Sequence, residues 1–319
     1  MKKNTLHKSD MIALLLENAV SIVLTLFVIF MIFYRPTFRS WANITAIIND
    51  CCMYGIAALG VTTVVICGDI DLSLSSVYAW STCLFVILCN SMNVYMAALV
   101  TLATCVVWGL FNGLLIAYLR MPAFVATLGS MYTIKGIAYY ITEQKPVSTG
   151  NEALAAIGKF NVADISIVPF VFIAVLLILY WFMKYTKVGR AIYATGGNYE
   201  VARLSGINVK LSKIIVFVIS SISASLAGLM YCTRVYSGAA TYGADLTTWS
   251  VAAAVIGGTS MSGGYGSVPR TIIGVLLMGI LFNALTLLGV DGSWQRFIRG
   301  AVMVVVIMFD AVSKMKKAK

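Results

Sequence analysis

The residues best suited to chemistry are two acids one position apart, Asp69 and Asp71, in the run Gly68-Asp69-Ile70-Asp71-Leu72-Ser73 between two apolar segments. Paired carboxylates can act as general acid and base, or form a proton or cation site in an ion-driven carrier. They can also form an interfacial turn, with Asp71 or Ser73 capping the next helix, which is the commoner role of acids near span ends. A carboxylate at the centre of a membrane helix costs ~2.5–3.5 kcal/mol on insertion scales, so both acids are expected to face water, the bundle interior or a membrane mouth. Asn112 and Asn283 sit in apolar runs beside small residues, as interhelical glue or as lining of a polar path. Asp50 and Asp310, near the ends of apolar runs, carry less weight.

Other catalytic chemistry has little to work with. The single histidine, His7, lies in a polar stretch, which leaves no His triad and no His metal cluster. The seven cysteines, Cys51, Cys52, Cys67, Cys83, Cys89, Cys105 and Cys232, lie in or at the ends of apolar runs without Cys-x-x-Cys spacing. They read as small hydrophobes. Neither G-x-x-x-x-G-K-[ST] nor G-x-S-x-G occurs, so any ATP must be used by a separate protein, and a hydrolase would lack its nucleophile elbow.

The scaffold that must position these residues is a membrane bundle. Of 319 residues 60% are hydrophobic and 11% charged, and mean hydropathy is +0.92, whereas soluble domains carry about 25% charged residues. At ~20 apolar residues per crossing, about ten spans are expected, near 14–34, 44–67, 74–89, 94–119, 123–141, 164–183, 214–232, 249–256, 271–288 and 297–312. The first exceeds a signal-peptide core and lacks a small-residue cleavage site, so it reads as a retained span that begins at Leu14 and carries Glu17. Gly55, Ala57, Ala58 and Gly60 make the second span a central one, and Ser220, Ser223, Ala224 and Gly228 stripe the seventh. Glu143 to Ala163 is the longest external loop. Gly257 to Ser267, a Gly/Ser run between apolar segments, is a candidate broken helix, since irregular backbone at membrane depth needs protein or a water-filled cavity around it.

With both termini inside, the cytoplasmic loops and ends collect fifteen of the 23 Lys and Arg residues. The positive-inside rule therefore accounts for the net charge of +11 without nucleic acid. This orientation puts the long polar interruption, Thr186 to Val209, in the cytoplasm. Within it, Asn198 can cap a short helix from Tyr199 to Ser205, with Glu200 in its first turn and Gly206 as its left-handed stop. Glu200 and Arg203 can pair, Val201 and Leu204 share another face, and Gly196-Gly197 lets the entering chain bend or approach a partner closely. A helix this short is marginal alone, as helices below ~12–15 residues are. From composition the stretch is a solvated basic loop or a docking element.

Four motifs in order, GDIDLS at 68–73, PAFVATLG at 122–129, VGRAIYATGGNYEVARLSGI at 188–207 and AAAVIGGTSMSGGYGS at 252–267, resemble the permease subunit of bacterial ABC importers for simple sugars, the ribose, xylose and galactoside group. The resemblance extends over most of the chain. It implies a dimer of permease subunits (two copies or a pair of paralogues), a cytoplasmic ABC ATPase, and a periplasmic or lipid-anchored sugar-binding protein. It also implies that the family's coupling segment, which docks on the ATPase, falls on 188–207. The family's usual Glu-Leu ten and nine residues before GGTS is replaced here by Thr247-Thr248, the nearest acid being Asp245.

The sequence thus specifies an all-α polytopic protein of the bacterial inner membrane, a single transmembrane domain over 1–319 with a cytoplasmic coupling loop at 184–213. It needs no cofactor or metal and performs no covalent chemistry. Candidate coupling residues are Gly189, Arg190, Gly196, Gly197, Asn198, Glu200, Val201, Arg203, Leu204 and Gly206. Candidates for the pathway or its gates are Asp69, Asp71, Ser73, Asn112, Thr127, Gly129, Gly257, Gly258, Thr259 and Asn283. The rival is an ion-coupled secondary transporter with Asp69 and Asp71 as its site.

Overall fold

The computed structural model describes residues 19–162 and 165–317. His7, Leu14, Glu17 and Asp164 lie outside the described residues, as does the side chain of Asp310. The described chain is almost wholly helical. Its helices are α1 (Ala19–Tyr34), α2 (Trp41–Ile66), α3 (Leu74–Cys89), α4 (Val94–Ala117), α5 (Ala123–Ile141), α6 (Glu152–Lys159) and α7 (Ile167–Tyr185). They continue with α8 (Lys187–Gly197), α9 (Tyr199–Leu204), α10 (Val209–Val235), α11 (Leu246–Ile256), α12 (Thr271–Leu287) and α13 (Gly292–Lys317). Four of them, α2, α4, α7 and α10, are long and apolar enough to cross a membrane, and α3, α11 and α12 are shorter apolar helices.

Helices dominate because in lipid each backbone group must be satisfied within its own segment. What differs among them is which faces are small. α2 is buried from Cys51 to Ile66 with only Tyr54 half-buried, so it stands at the centre of the bundle, as its glycines and alanines predict. α10 packs most extensively on α4 and α2. The contact is at backbone distance, since a Cβ on Gly109 of α4 would stand 2.8 Å from the Phe217 carbonyl and one on Gly113 would stand 2.7 Å from Ile214 Cα. Small residues on facing helices permit this approach where no hydrophobic drive exists between helices in lipid. On the outer faces, Leu99, Val107, Leu177, Ile178 and Trp181 are exposed as a lipid-facing surface requires. All seven cysteines are buried.

Several expected boundaries move because local hydrogen bonds override hydropathy. α2 begins at Trp41, where the Ser40 hydroxyl accepts from the Asn43 amide at 3.3 Å. α10 begins at Val209, capped by Asn208, so Lys210 and Lys213 are helical. The stretch expected as a long external loop holds α6, capped by Asn151, and strands β1 (Val147–Ser148) and β2 (Asn161–Val162). β1 pairs antiparallel with β4 (Ser237–Gly238), and β2 with β3 (Ile165–Ser166).

The Gly257–Ser267 run is not a break within one helix. The start of α11 and the end of α12 line one cavity, through Trp249 and Thr286, while a Cβ on Gly257 would stand 2.8 Å from Thr271 Cα at the other end. The run therefore reverses the chain between two antiparallel helices. Gly258, with φ +88°, makes the sharp turn that ends α11.

Candidate functional site

The polar segment after α7 is two helices, not a loop. Thr186 caps the first, its hydroxyl accepting from the Gly189 amide at 2.9 Å. Gly189 lies so close to the Phe182 and Met183 carbonyls that a side chain there has no room, which lets α8 fold back sharply on α7. Gly196 and Gly197, expected to let the chain bend or approach a partner closely, form the last turn of α8, and Gly196 makes the close approach. They are glycines because of what lies against them. A Cβ on Gly196 would overlap the Ile66 carbonyl oxygen at the end of α2 and stand 2.7 Å from the Gly264 amide, which itself donates to Ile66 O at 2.8 Å.

Three glycine breaks thereby meet at one junction. Gly68, Gly263 and Gly264 have φ of +85°, +79° and +73°, and a Cβ on Gly263 would stand 2.7 Å from Gly68 Cα. The breaks after α2 and after α11 are separate in sequence and adjacent in space. The Tyr193 hydroxyl of α8 adds a hydrogen bond to Gly266 O at 3.0 Å.

α9 follows with the capping foreseen. The Asn198 side chain accepts from the Val201 amide at 3.0 Å, Gly206 has φ +78°, and the Ile207 amide donates to Ala202 O at 3.1 Å, a helix-stop bond that spans the glycine. Glu200 and Arg203 form an exposed ion pair at 2.7 Å. Ala202 faces inward and buried, while Val201 and Leu204 are 59% and 80% exposed. Arg190 on α8 is exposed and reaches only the Tyr185 carbonyl, at 3.4 Å.

Asp69 and Asp71 have different fates. Asp69 pairs with Lys213 of α10 at 2.6 Å, and the lysine also lies 5.9 Å from the ring of Tyr199, the first residue of α9. With Arg120, Pro122 and Arg203 these groups line a cavity of about 480 Å³ beside α9. Asp71 is fully buried and accepts from the Ser73 amide at 2.9 Å, the Ser73 hydroxyl at 2.6 Å and the Ser220 hydroxyl at 2.7 Å. Asn112 of α4 donates to Ser73 Oγ at 2.9 Å and accepts from Ser130 of α5. Thr127 accepts the Leu72 amide at 3.1 Å. The solvated capping turn is thus overturned for Asp71, and Ser73 makes no side-chain cap to α3. Asp71 instead ties the 68–73 connection to α10 and, through Ser73 and Asn112, to α4 and α5. The 16 residues of α3 rise about 24 Å, short of a ~30 Å core, so this connection enters the bundle.

The remaining candidates are dispersed. Gly129 stands on the exposed face of α5 with nothing within 4 Å of a Cβ placed there. Gly257 packs on the start of α12, Gly258 is exposed, and Thr259 is buried with its hydroxyl unpartnered. Asn283 forms a reciprocal amide pair with Asn43, at 2.9 and 3.1 Å, joining α12 to α2. Polar contacts between membrane helices average about 0.6 kcal/mol and reach about 1.7. Asn283→Ala is therefore expected to cost about 1 kcal/mol, read as a drop of a few degrees in the melting temperature of the purified protein.

Sequence reasoning missed Lys213, Ser220 and Ser130 as partners and Gly263 and Gly264 as contacts. Lys213 is one of the fifteen Lys and Arg residues counted as cytoplasmic; its place at the head of an apolar helix was the available signal.

Comparison with known proteins adds an independent line. Residues 43–307 match the family model described as branched-chain amino acid transport system / permease component. The chain is 32% identical to the ribose import permease protein RbsC of Haemophilus influenzae over 99% of this chain and 100% of that one. It is 33% identical to RbsC of Escherichia coli K12, covering 93% and 94%, and 29% identical to the galactose/methyl galactoside import permease protein MglC of that strain, covering 98% and 99%. No solved structure matches.

Proposed function

The chain belongs to the family described as branched-chain amino acid transport system / permease component, and from that premise we propose that it is the permease subunit of an ATP-driven importer for a simple sugar. It is a multi-pass protein of the bacterial inner membrane that carries solute across it. The relatives' names point to a pentose or hexose as that solute. The energy source is a cytoplasmic ATPase on a separate chain, an extracytoplasmic binding protein delivers the solute, and a second permease subunit, a copy or a paralogue, completes the pathway. About ten spans, both termini inside, and a cytoplasmic segment at 184–213 within one domain complete the reading.

The observation that carries it is the build of the polar segment. α9 offers Val201 and Leu204 outward, beside the Glu200–Arg203 pair, and the helix before it is wedged through Gly196 against the ends of α2 and of the 257–267 run. A push on α9 has no slack side chain to absorb it before it reaches the central helix. It also reaches α10 through Tyr199, Lys213 and Asp69. Alternating access follows from rocking of packed helices, a rigid-body or shear motion. The ion-carrier alternative gains nothing from the geometry, since the Asp69 carboxylate is paired with Lys213 and Asp71 is bonded by the chain's own hydroxyls.

The test replaces the exposed apolar pair. Val201→Asp with Leu204→Asp is expected to release the ATPase in a pull-down and reduce uptake at least tenfold, with the melting temperature of the permease unchanged because both side chains are exposed. Full assembly and full uptake would refute the coupling role. Uptake in vesicles that needs ATP and binding protein and survives an uncoupler excludes the ion-driven class.

A further inference from the structure

A second cavity, of about 460 Å³, opens at the other end of the bundle among α2, the 241–245 connection, α11, α12 and α13. At ~1.5 Å per residue, Asp50 on its wall stands on the order of 24 Å along α2 from Ile66 at the glycine junction. The coupling scheme makes no use of it.

Its lining has a definite chemistry. Two acids face it, each held by one arginine: Asp50 Oδ1 by Arg234 at 2.5 Å, and Asp245 Oδ2 by Arg299 at 2.5 Å. Each acid thus commits one oxygen and leaves the other without a hydrogen bond from the described residues. Arg299 lies 4.5 Å over the Phe282 ring, and its Nε is buried without a partner. Beside these groups the rings of Tyr54 and the buried Trp249 lie 5.1 Å apart, tilted by 36°.

The combination selects a ligand class. A cation gains nothing, because the guanidinium groups of Arg234, Arg299 and the exposed Arg296 outnumber the two carboxylates, and an anion would lie against those carboxylates. A purely apolar ligand would cover the half-exposed carboxylates and the buried Arg299 Nε without pairing them. A neutral polyhydroxylated ring fits both halves of the wall. Its adjacent hydroxyls can donate to the spare carboxylate oxygens and accept from the guanidinium, while its C–H face lies on the aromatic pair. The volume falls within the ~300–1,000 Å³ of small-molecule sites.

We propose that this cavity is a monosaccharide-binding subsite within the single permease subunit, with Asp50, Asp245 and Arg299 binding hydroxyls and Trp249 with Tyr54 taking the ring face. The choice of sugar as ligand rests on the import reading; the polar and aromatic lining is independent of it. In this scheme Asp245 supplies the acid at this mouth of the bundle. Thr247, two residues on, is buried and accepts the Ser75 amide at 3.1 Å.

The test uses the full chain in lipid nanodiscs, without ATPase or binding protein, titrated with D-ribose, D-xylose and D-galactose and followed by saturation-transfer NMR. At least one sugar is expected to bind saturably in the millimolar range. Asp245→Asn and Trp249→Leu should each weaken that binding at least tenfold, and Trp249→Phe should retain most of it. If Trp249→Leu does not fold, Asp50→Asn gives the same reading from the opposite wall. Absence of saturable binding for all three sugars, or wild-type binding in the folded variants, overturns the subsite. Uptake by the complete importer separates the two claims. Uptake without binding to the permease overturns the subsite alone, whereas failure to import any of the sugars overturns the import reading and leaves the binding result to stand.

Discussion

Gly196→Ala is expected to lower ATP-driven uptake at least tenfold, while Gly197→Ala, one residue on, leaves it near wild type. Both glycines end α8, and neither has a positive φ, so alanine is tolerated by the backbone at either position. The difference lies in what a methyl group would meet. At Gly197 the nearest atom is Gly264 Cα at 3.9 Å, an ordinary contact. At Gly196 it is the Ile66 carbonyl oxygen, in overlap, with Gly264 N at 2.7 Å and Cys67 C at 3.0 Å. All three are backbone atoms, which cannot rotate away as a side chain can. Overpacking costs ~1–3 kcal/mol where neighbours yield; here the upper end applies, and relief requires α8 to part from α2. Uptake should fall tenfold or more, the ATPase should still bind through α9, and the melting temperature should drop by several degrees. Equal behaviour of the two variants would show that this contact transmits nothing.

Asp71→Ala is expected to be the most destabilising single change among the polar residues. It removes the acceptor for three hydrogen bonds and strands the hydroxyls of Ser73 and Ser220 in a buried site. Hydrogen bonds to charged groups are worth ~1.5–3 kcal/mol, and a stranded buried group adds its own desolvation cost, so a loss on the order of 3–5 kcal/mol is expected against a typical stability of ~5–15. The measurement is the yield and thermal melting of the purified protein. Asp71→Asn keeps the shape. Its carbonyl can still accept from Ser73, and its amide can donate to Ser220, whose hydroxyl then accepts. It should recover most of the loss and retain uptake. An Asp71→Asn protein that melts like wild type yet cannot transport would instead revive the ion-site role. An Asp71→Ala protein of wild-type stability would remove Asp71 as the tie between the 68–73 connection and α10.

What could be read without coordinates was whatever is enforced locally. A helix satisfies its backbone within four residues, so hydropathy marked the all-helical membrane bundle, and the small residues Gly55, Ala57, Ala58 and Gly60 marked the central place of α2. The limits of α9 were legible for the same reason: Asn198 bonds three residues ahead, Glu200 reaches Arg203 across one turn, and Gly206 needs only its own φ. The family motifs, each continuous in sequence, were legible too. Hidden were the features whose cause is remote in sequence. α8 is polar, rich in glycine and short, so nothing local demands that it be a helix; Gly196 becomes intelligible only against α2 and the 257–267 run, and Ile192 only as part of the buried core. The reversal at Gly257–Ser267 was read as a broken helix because glycines announce irregular backbone but not the direction in which the chain leaves. Asp71 was weighed as a solvated cap because Ser220 lies 149 residues away, and Asn43 and Asn283, 240 apart, gave no sign of each other. Burial decides whether an acid is a solvated cap or a buried anchor, and burial is set by which helices the packing of small residues brings together. Local pattern was enough for the helical membrane material and the helix-capping signals. The tertiary structure alone decided that three separate glycine breaks form one junction, and that the two acids of a single motif serve different partners.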